Sequence, residues 1–193
     1  MKNRFDTETV ASIVLGTMLI VLSYFGLTQY TALSDMWLIQ IFAIVVVVIA
    51  AVYGTVAGLM IPLAAFLVIN MANGGRNTDT GMLLLIFSGV ATGHYADKFM
   101  VRDGRFEGMR LADYAVVETV VAVLAWVCID PLFNFYVRSW DLRTTMLLGV
   151  KFCGISIINM LCVCMPVLLL LNNLYKKYGK IVAARNDYSE RVR

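Results

Sequence analysis

The sequence predicts an all-α membrane protein, six transmembrane helices in a single domain over residues 1–193, with both termini cytoplasmic. Three observations predict it. Hydrophobic residues make up 60% of the chain and the mean hydropathy is +0.78, above an ordinary soluble domain. Six apolar runs alternate with polar connections, and a length of 193 residues accommodates six spans of about 20 residues. Lys and Arg concentrate on alternate connections, as sorting across a membrane requires.

In chain order, a polar lead carrying Lys2 and Arg4 precedes the first span, residues 10–26. The next connection, Leu27 to Asp35, lacks Lys and Arg and is edged by Tyr30 and Trp37. Residues 36–51 form the second span. Its Val45–Val48 run is β-branched, but a lone strand would leave its backbone unpaired in lipid, so a helix is expected. A glycine turn, Tyr53-Gly54-Thr-Val-Ala-Gly58, leads into the third span, residues 56–69, which contains Pro62. The fourth span covers residues 82–95. Between these two short spans lies a polar bridge, Asn70 to Asp79, with Gly74-Gly75 as its hinge. A charged loop, Ala96 to Asp113, follows. The fifth span, residues 114–129, is expected to stop at Asp130-Pro131. The sixth, residues 144–175, would extend about 48 Å as one helix, so it should project from the bilayer or bend near Gly154 or Pro166.

With six spans, the side holding both termini and the Ala96–Asp113 loop carries twelve of the 16 Lys and Arg residues. The other side carries Arg76, Arg138 and Arg143, and Lys151 falls inside a span. That bias predicts cytoplasmic termini, with the Leu27–Asp35, Asn70–Asp79 and Asp130–Arg143 connections facing outward together.

Several chemistries are disfavoured. A net charge of +3 spread over loops and tails is no nucleic-acid stripe. Cys128, Cys153, Cys162 and Cys164 lack CxxC spacing and histidine companions, so neither a disulfide framework nor a metal site is expected. There is no P-loop, no HExxH and no nucleophile with a visible base, and no cofactor is implied. The single histidine, His94, reads as structural.

Charges inside spans are functional candidates by default. Lys151 is one, and Asn159, eight residues on, shares roughly its face. Glu118 is the other; it is either a ligand or coupling group or a side chain that snorkels to the cytoplasmic interface. Asn70, Asn73, Arg76 and Asp79 supply further donors and acceptors around the bridge. Trp126, Tyr30 and Trp37 supply flat faces on which a ring could stack. On the first span Ala11, Ser12 and Gly16 form a small-residue face suited to internal packing or to docking a partner subunit.

The Met1-Lys-Asn-Arg-Phe5 start, the Tyr53–Gly58 turn and the Ser88-Gly89…Gly93 helix resemble the substrate-binding (S) components of energy-coupling factor (ECF) vitamin transporters. Ala125-Trp126, Pro131 and the Leu174-Tyr175-Lys176-Lys177 segment extend the resemblance over nearly the whole chain. It implies a six-helix bundle in the cell membrane that captures a water-soluble vitamin or precursor from outside. It also implies association with a membrane T component and two ATPase subunits, which would hydrolyse the ATP, leaving this chain no enzyme activity of its own. The family's first helix contacts the T component, which points here to Ala11, Ser12 and Gly16. Two features depart from the pattern. Phe66 and Asn70 stand where close relatives carry His and Asp, and Gly74-Gly-Arg-Asn-Thr-Asp79 replaces an aromatic-rich outer loop. A charged solute would suit Arg76 and Lys151; a neutral pyridoxine- or hydroxymethylpyrimidine-like heteroaromatic, the reading favoured, would suit Asn70, Asn73 and Trp126. The other classes open are a structural or assembly membrane protein without a ligand and, less favoured, an intramembrane enzyme.

Overall fold

A chain surrounded by lipid must satisfy its backbone N–H and C=O groups internally, and a helix does so within one segment. The computed structural model describes residues 7–30, 35–74, 80–96, 101–102, 105–106 and 110–174, and these are helical almost throughout. In order they are α1 (Thr7–Tyr30), α2 (Asp35–Tyr53), α3 (Thr55–Ala72) and α4 (Thr80–Tyr95), then a two-residue antiparallel pair, β1 (Val101–Arg102) with β2 (Arg105–Phe106). α5 (Arg110–Val123) continues through a π-helical turn, Leu124–Ile129, into α6 (Asp130–Arg138). α7 (Leu142–Asn159) continues through a second π-helical turn, Met160–Cys164, into a last helical stretch over residues 165–174. The described chain therefore makes six rods.

Four helical stretches are long and apolar enough to cross a membrane: Thr7–Leu27, Thr55–Ala72, Ala112–Arg138 and Leu142–Leu174. The apolar parts of α2 and α4, Leu38–Tyr53 and Gly81–Tyr95, are shorter. Both termini lie outside the described residues.

The expected stop at Asp130-Pro131 does not occur: the fifth rod runs on to Arg138. The π-helical turn is the reason. It widens the register so that the Asp130 N–H donates to the Ala125 carbonyl, five residues back, and Pro131, which has no N–H, follows at the point where the new register begins. The sixth rod repeats the device. There the Met165 N–H reaches back to the Met160 carbonyl and Pro166 follows. The anticipated disturbance near Pro166 is thus a π-helical turn within a 33-residue apolar stretch.

The glycine turn forms as expected. Gly54 sits between α2 and α3 at φ +85°, a conformation side chains rarely adopt. Beyond it α3 and α4 meet backbone to backbone. A Cβ on Gly58 would collide with the Gly89 carbonyl, and one on Gly89 with the Gly58 carbonyl. Pro62 removes the N–H that the Gly58 carbonyl would accept within α3, which leaves that oxygen facing the Cα of Gly89.

The main core lies among α1–α4 and includes Ile20, Leu38, Phe42, Val46, Ile61 and Leu84, joined by Trp126 and Phe152. A second cluster gathers Val47, Ala51, Tyr114, Cys164 and Leu168 toward the opposite end of α2. The small face of α1 belongs to this packing and not to a free surface. Ser12 is buried, its hydroxyl donating to the Thr9 carbonyl at 2.7 Å, and Gly16 abuts Ile49 and Ile61 so closely that a Cβ would lie 2.7–2.8 Å from their methyl groups. Of the three residues expected to meet a partner, only Ala11 remains exposed.

Candidate functional site

Among the described residues, two cavities stand out in the bundle. The first, a partly open cleft of about 600 Å3, lies between α1–α4 at the end nearest the polar bridge. Its walls are Ile20, Leu38, Phe42, Pro62, Phe66, Ile69 and similar residues, with Tyr24 the main polar contributor. The second, about 430 Å3, lies midway along the bundle between α2, α4 and the last two rods. Gln40, Ser88, Glu118, Ser156 and Asn159 line it, with Trp126 as its aromatic wall.

Each polar wall residue is placed by the periodicity of its helix. α2 turns Leu38, Ile39 and Phe42 to the apolar cleft and Gln40, Ala43, Ile44 and Val47 to the polar cavity. Gln40 is almost wholly buried and doubly tied to α7. Ser156 Oγ donates to its Oε1 at 2.8 Å, and its Nε2 donates to the Phe152 carbonyl at 3.3 Å. Glu118, 6% exposed, points into the bundle and is hydrogen-bonded through Oε1 to Thr92 Oγ1 on α4. It does not snorkel to an interface. Thr92 Oγ1 also lies 2.7 Å from the Ser88 carbonyl. Trp126 is held from behind by Phe152, ring centres 5.4 Å apart, and its carbonyl fits against Gly149. One turn before Glu118, the Tyr114 hydroxyl is fully buried without a hydrogen-bond partner among the described residues.

The other predicted residues scatter. Asn73 caps α3 and its Nδ2 donates to the Tyr24 hydroxyl at 2.8 Å, linking α3 to α1 at the bridge end of the apolar cleft. Asn70, one turn earlier, is half-buried. Arg76 and Asp79 lie outside the described residues, as do the side chains of Tyr30 and Trp37. Lys151 is exposed on the outer face of α7 while Asn159 lines the polar cavity, so the structure separates them. Eight residues advance a helix by two turns plus about 80°, enough to carry Lys151 off the cavity face. Trp126 and Asn159, with the in-span candidate Glu118, are the residues singled out in the sequence that the structure brings together at this cavity.

Gln40, Ser88, Thr92, Glu118 and Ser156 complete the set. The sequence carried signals for two of them: Gln40 is the one amide in the apolar run of α2, and Glu118 is a charge inside a span. Ser88, Thr92 and Ser156 gave none, since hydroxyls on helices commonly bond to their own backbone.

A second polar pair is buried at the far end of the fifth rod, where Asn134 Nδ2 donates to Asp130 Oδ1 at 3.0 Å. Asp141 caps α7 outside the apolar stretches. The N–H and hydroxyl of Thr144 both donate to its carboxylate at 2.9 Å, holding its pKa below the ordinary value. Among the described residues no group of three or more His, Cys, Asp and Glu could hold a metal ion.

In comparisons with known proteins, no family model, no curated protein and no solved structure matches the chain.

Proposed function

We propose that this chain is a membrane-embedded, solute-binding subunit of an ATP-driven importer, of the ECF S-component kind. It captures a water-soluble, vitamin-like molecule from outside the cell and has no enzyme activity of its own. The observation that carries this reading is a largely carbon-lined cavity on which Gln40, Ser88, Glu118, Ser156 and Asn159 place a few polar groups from four rods. Burying unpaired polar groups costs about 1–3 kcal/mol each, and more where lipid replaces water outside. Gln40 with Ser156 and Glu118 with Thr92 are already paired within the bundle, and the Asn159 amide beside Trp126 is the group left for a small polar ring to match. The apolar cleft offers such a solute little to bond.

The reading includes six crossings with both termini cytoplasmic, so the Asn70–Asp79 bridge lies outside. Cysteines introduced at Asn77 and Gly104 should react with an impermeant maleimide from outside and inside respectively; reversed or same-side labelling refutes the arrangement. The partners are a membrane T component and two ATPase subunits. On α1 the face open to them is Ala11, Leu15, Met18 and Leu22, spaced at helical intervals. Leu15→Arg should reduce co-purification with the T component while leaving solute binding intact.

The deciding experiment is a thermal-shift and calorimetric screen of the detergent-purified protein against water-soluble vitamins and their precursors. A compound at 100 times its dissociation constant adds about 2.7 kcal/mol to native stability. A panel-wide absence of binding overturns the reading in favour of a structural or assembly protein.

A further inference from the structure

Glu118 poses a charge problem that its surroundings answer in an unusual way. No Lys, Arg or His lines its cavity among the described residues. Its titratable neighbours are Tyr114, one turn earlier on the same rod, and Cys164 on the last rod, and neither group can carry a positive charge. Toward it α4 presents Ser88 and Thr92, α2 presents Gln40, and the last rod adds Ser156 and Asn159, all uncharged. Lys151 and His94 are exposed elsewhere. A lone carboxylate in such a place is costly, whereas a neutral acid is not.

The hydrogen bonds accommodate the neutral acid. Thr92 has one hydroxyl hydrogen and two oxygen neighbours, the Ser88 carbonyl and Glu118 Oε1. If that hydrogen makes the customary return bond to Ser88, Thr92 Oγ1 is left as an acceptor and the carboxyl supplies the second proton. The chain then reads Glu118 O–H to Thr92 O–H to Ser88 C=O. Beside it stands Asn159, whose amide no hydrogen bond among the described residues holds, together with the face of Trp126.

We propose that this cavity takes a planar solute carrying a protonated amine or ring nitrogen, and that Glu118 exchanges its carboxyl proton for that cation. This rests on reading the cavity as the solute site, and it assigns the solute's charge. As the ligand enters, the Glu118 O–H bond breaks and the proton leaves to bulk water. The carboxylate then pairs with the ligand's N–H, and its charge is balanced by the cation. The interior is neutral before and after, so no net charge is buried in lipid. Asn159 and Gln40 bond the ring's edge, and Trp126 stacks on its face and favours positive charge.

The test is titration calorimetry of the purified protein with pyridoxamine and pyridoxine, which differ in an ammonium and a hydroxyl, and with the anions biotin and pantothenate. Wild type and Glu118→Gln are compared from pH 6 to 8 in two buffers of different ionisation enthalpy. The expected result is binding of a cationic member with release of about one proton, affinity rising up to about tenfold per pH unit, and at least tenfold weaker binding in Glu118→Gln. Binding confined to neutral or anionic members, or a Glu118→Gln affinity within twofold of wild type, overturns the proposal and leaves the solute-binding reading standing. No binding by wild type overturns that reading itself. Should Glu118→Gln fail to fold, dicyclohexylcarbodiimide, which modifies protonated carboxyls in apolar surroundings, decides on the wild type. Labelling of Glu118 that the bound cation blocks supports the exchange; unlabelled Glu118, or labelling the cation leaves unchanged, refutes it.

Discussion

The two cavities share α2 and α4 as walls yet differ in everything a ligand would meet. The cleft near the bridge is larger and presents almost only carbon; the cavity at mid-bundle is smaller and presents two amides, hydroxyls and a carboxyl. An apolar cleft in a membrane protein can be filled by lipid or by a neighbouring segment at little cost. A polar one in the same surroundings must be matched group by group, so its persistence demands a reason. Size and lining chemistry thus point to different places in this bundle.

The seam between α3 and α4 underlies both cavities, and breaking it should have the largest effect. Gly58→Leu forces a side chain into the Gly89 backbone, where neither helix can yield without separating. Overpacking costs about 1–3 kcal/mol even where side chains can move; a collision with backbone should exceed that. Size-exclusion chromatography should show loss of the monodisperse protein, and a normal profile would mean the helices are not that close.

The comparison itself is sharpened by one substitution in each cavity. Asn159→Ala should weaken binding of the tightest compound in the calorimetric panel at least tenfold, about 1.4 kcal/mol, whereas Phe66→Ala in the cleft should leave it within threefold. Equal losses, or loss only with Phe66→Ala, would move the site to the apolar cleft. Smaller again is Tyr24→Phe, which removes the acceptor of the 2.8 Å bond from Asn73. It should lower stability by about 1 kcal/mol and leave affinity unchanged; a thermal melt and a titration on the same sample separate the two. Lys151→Ala, on an exposed face, should alter binding by less than twofold. A tenfold loss there would restore Lys151 to the site.

The smallest effect concerns Asp141. Its carboxylate is depressed by the Thr144 N–H and hydroxyl, so it adds stability above the ordinary carboxylate range and loses it as pH falls toward the depressed value. Melting curves of wild type and Asp141→Asn should therefore converge in acid. Curves that stay parallel would show the cap contributes nothing.

Much of the fold was legible. Five of the six apolar runs end within a few residues of their helices, and the Gly54 turn stands where the sequence put it. The failure at Pro131 came from treating proline as a stop, when a π-helical turn ahead of it removes the missing donor from the accounting. The site residues expected from the sequence were chosen by proximity to the bridge, and the structure distributes the described ones over both cavities and the outer surface. Glu118, Asn159 and Gln40 were visible as polar residues in apolar runs; Ser88, Thr92 and Ser156 acquire meaning only from the groups they bond or face.

Composition and the order of apolar runs determined that this is a helical chain with stretches long and apolar enough to cross a membrane, because a helix satisfies its backbone hydrogen bonds within one segment. They also located each apolar run, since a span length is a property of consecutive residues. Which face of each helix turned inward was decided by the tertiary structure. Ser12 and Gly16 turned into the core, Lys151 turned outward, and Gln40, Glu118 and Asn159 converged from three different rods. The physical reason is that a helix position fixes a direction only relative to its own axis. The rotation of one rod against the next is set by the closest contacts between them, here the backbones of Gly58 and Gly89 and of Trp126 and Gly149.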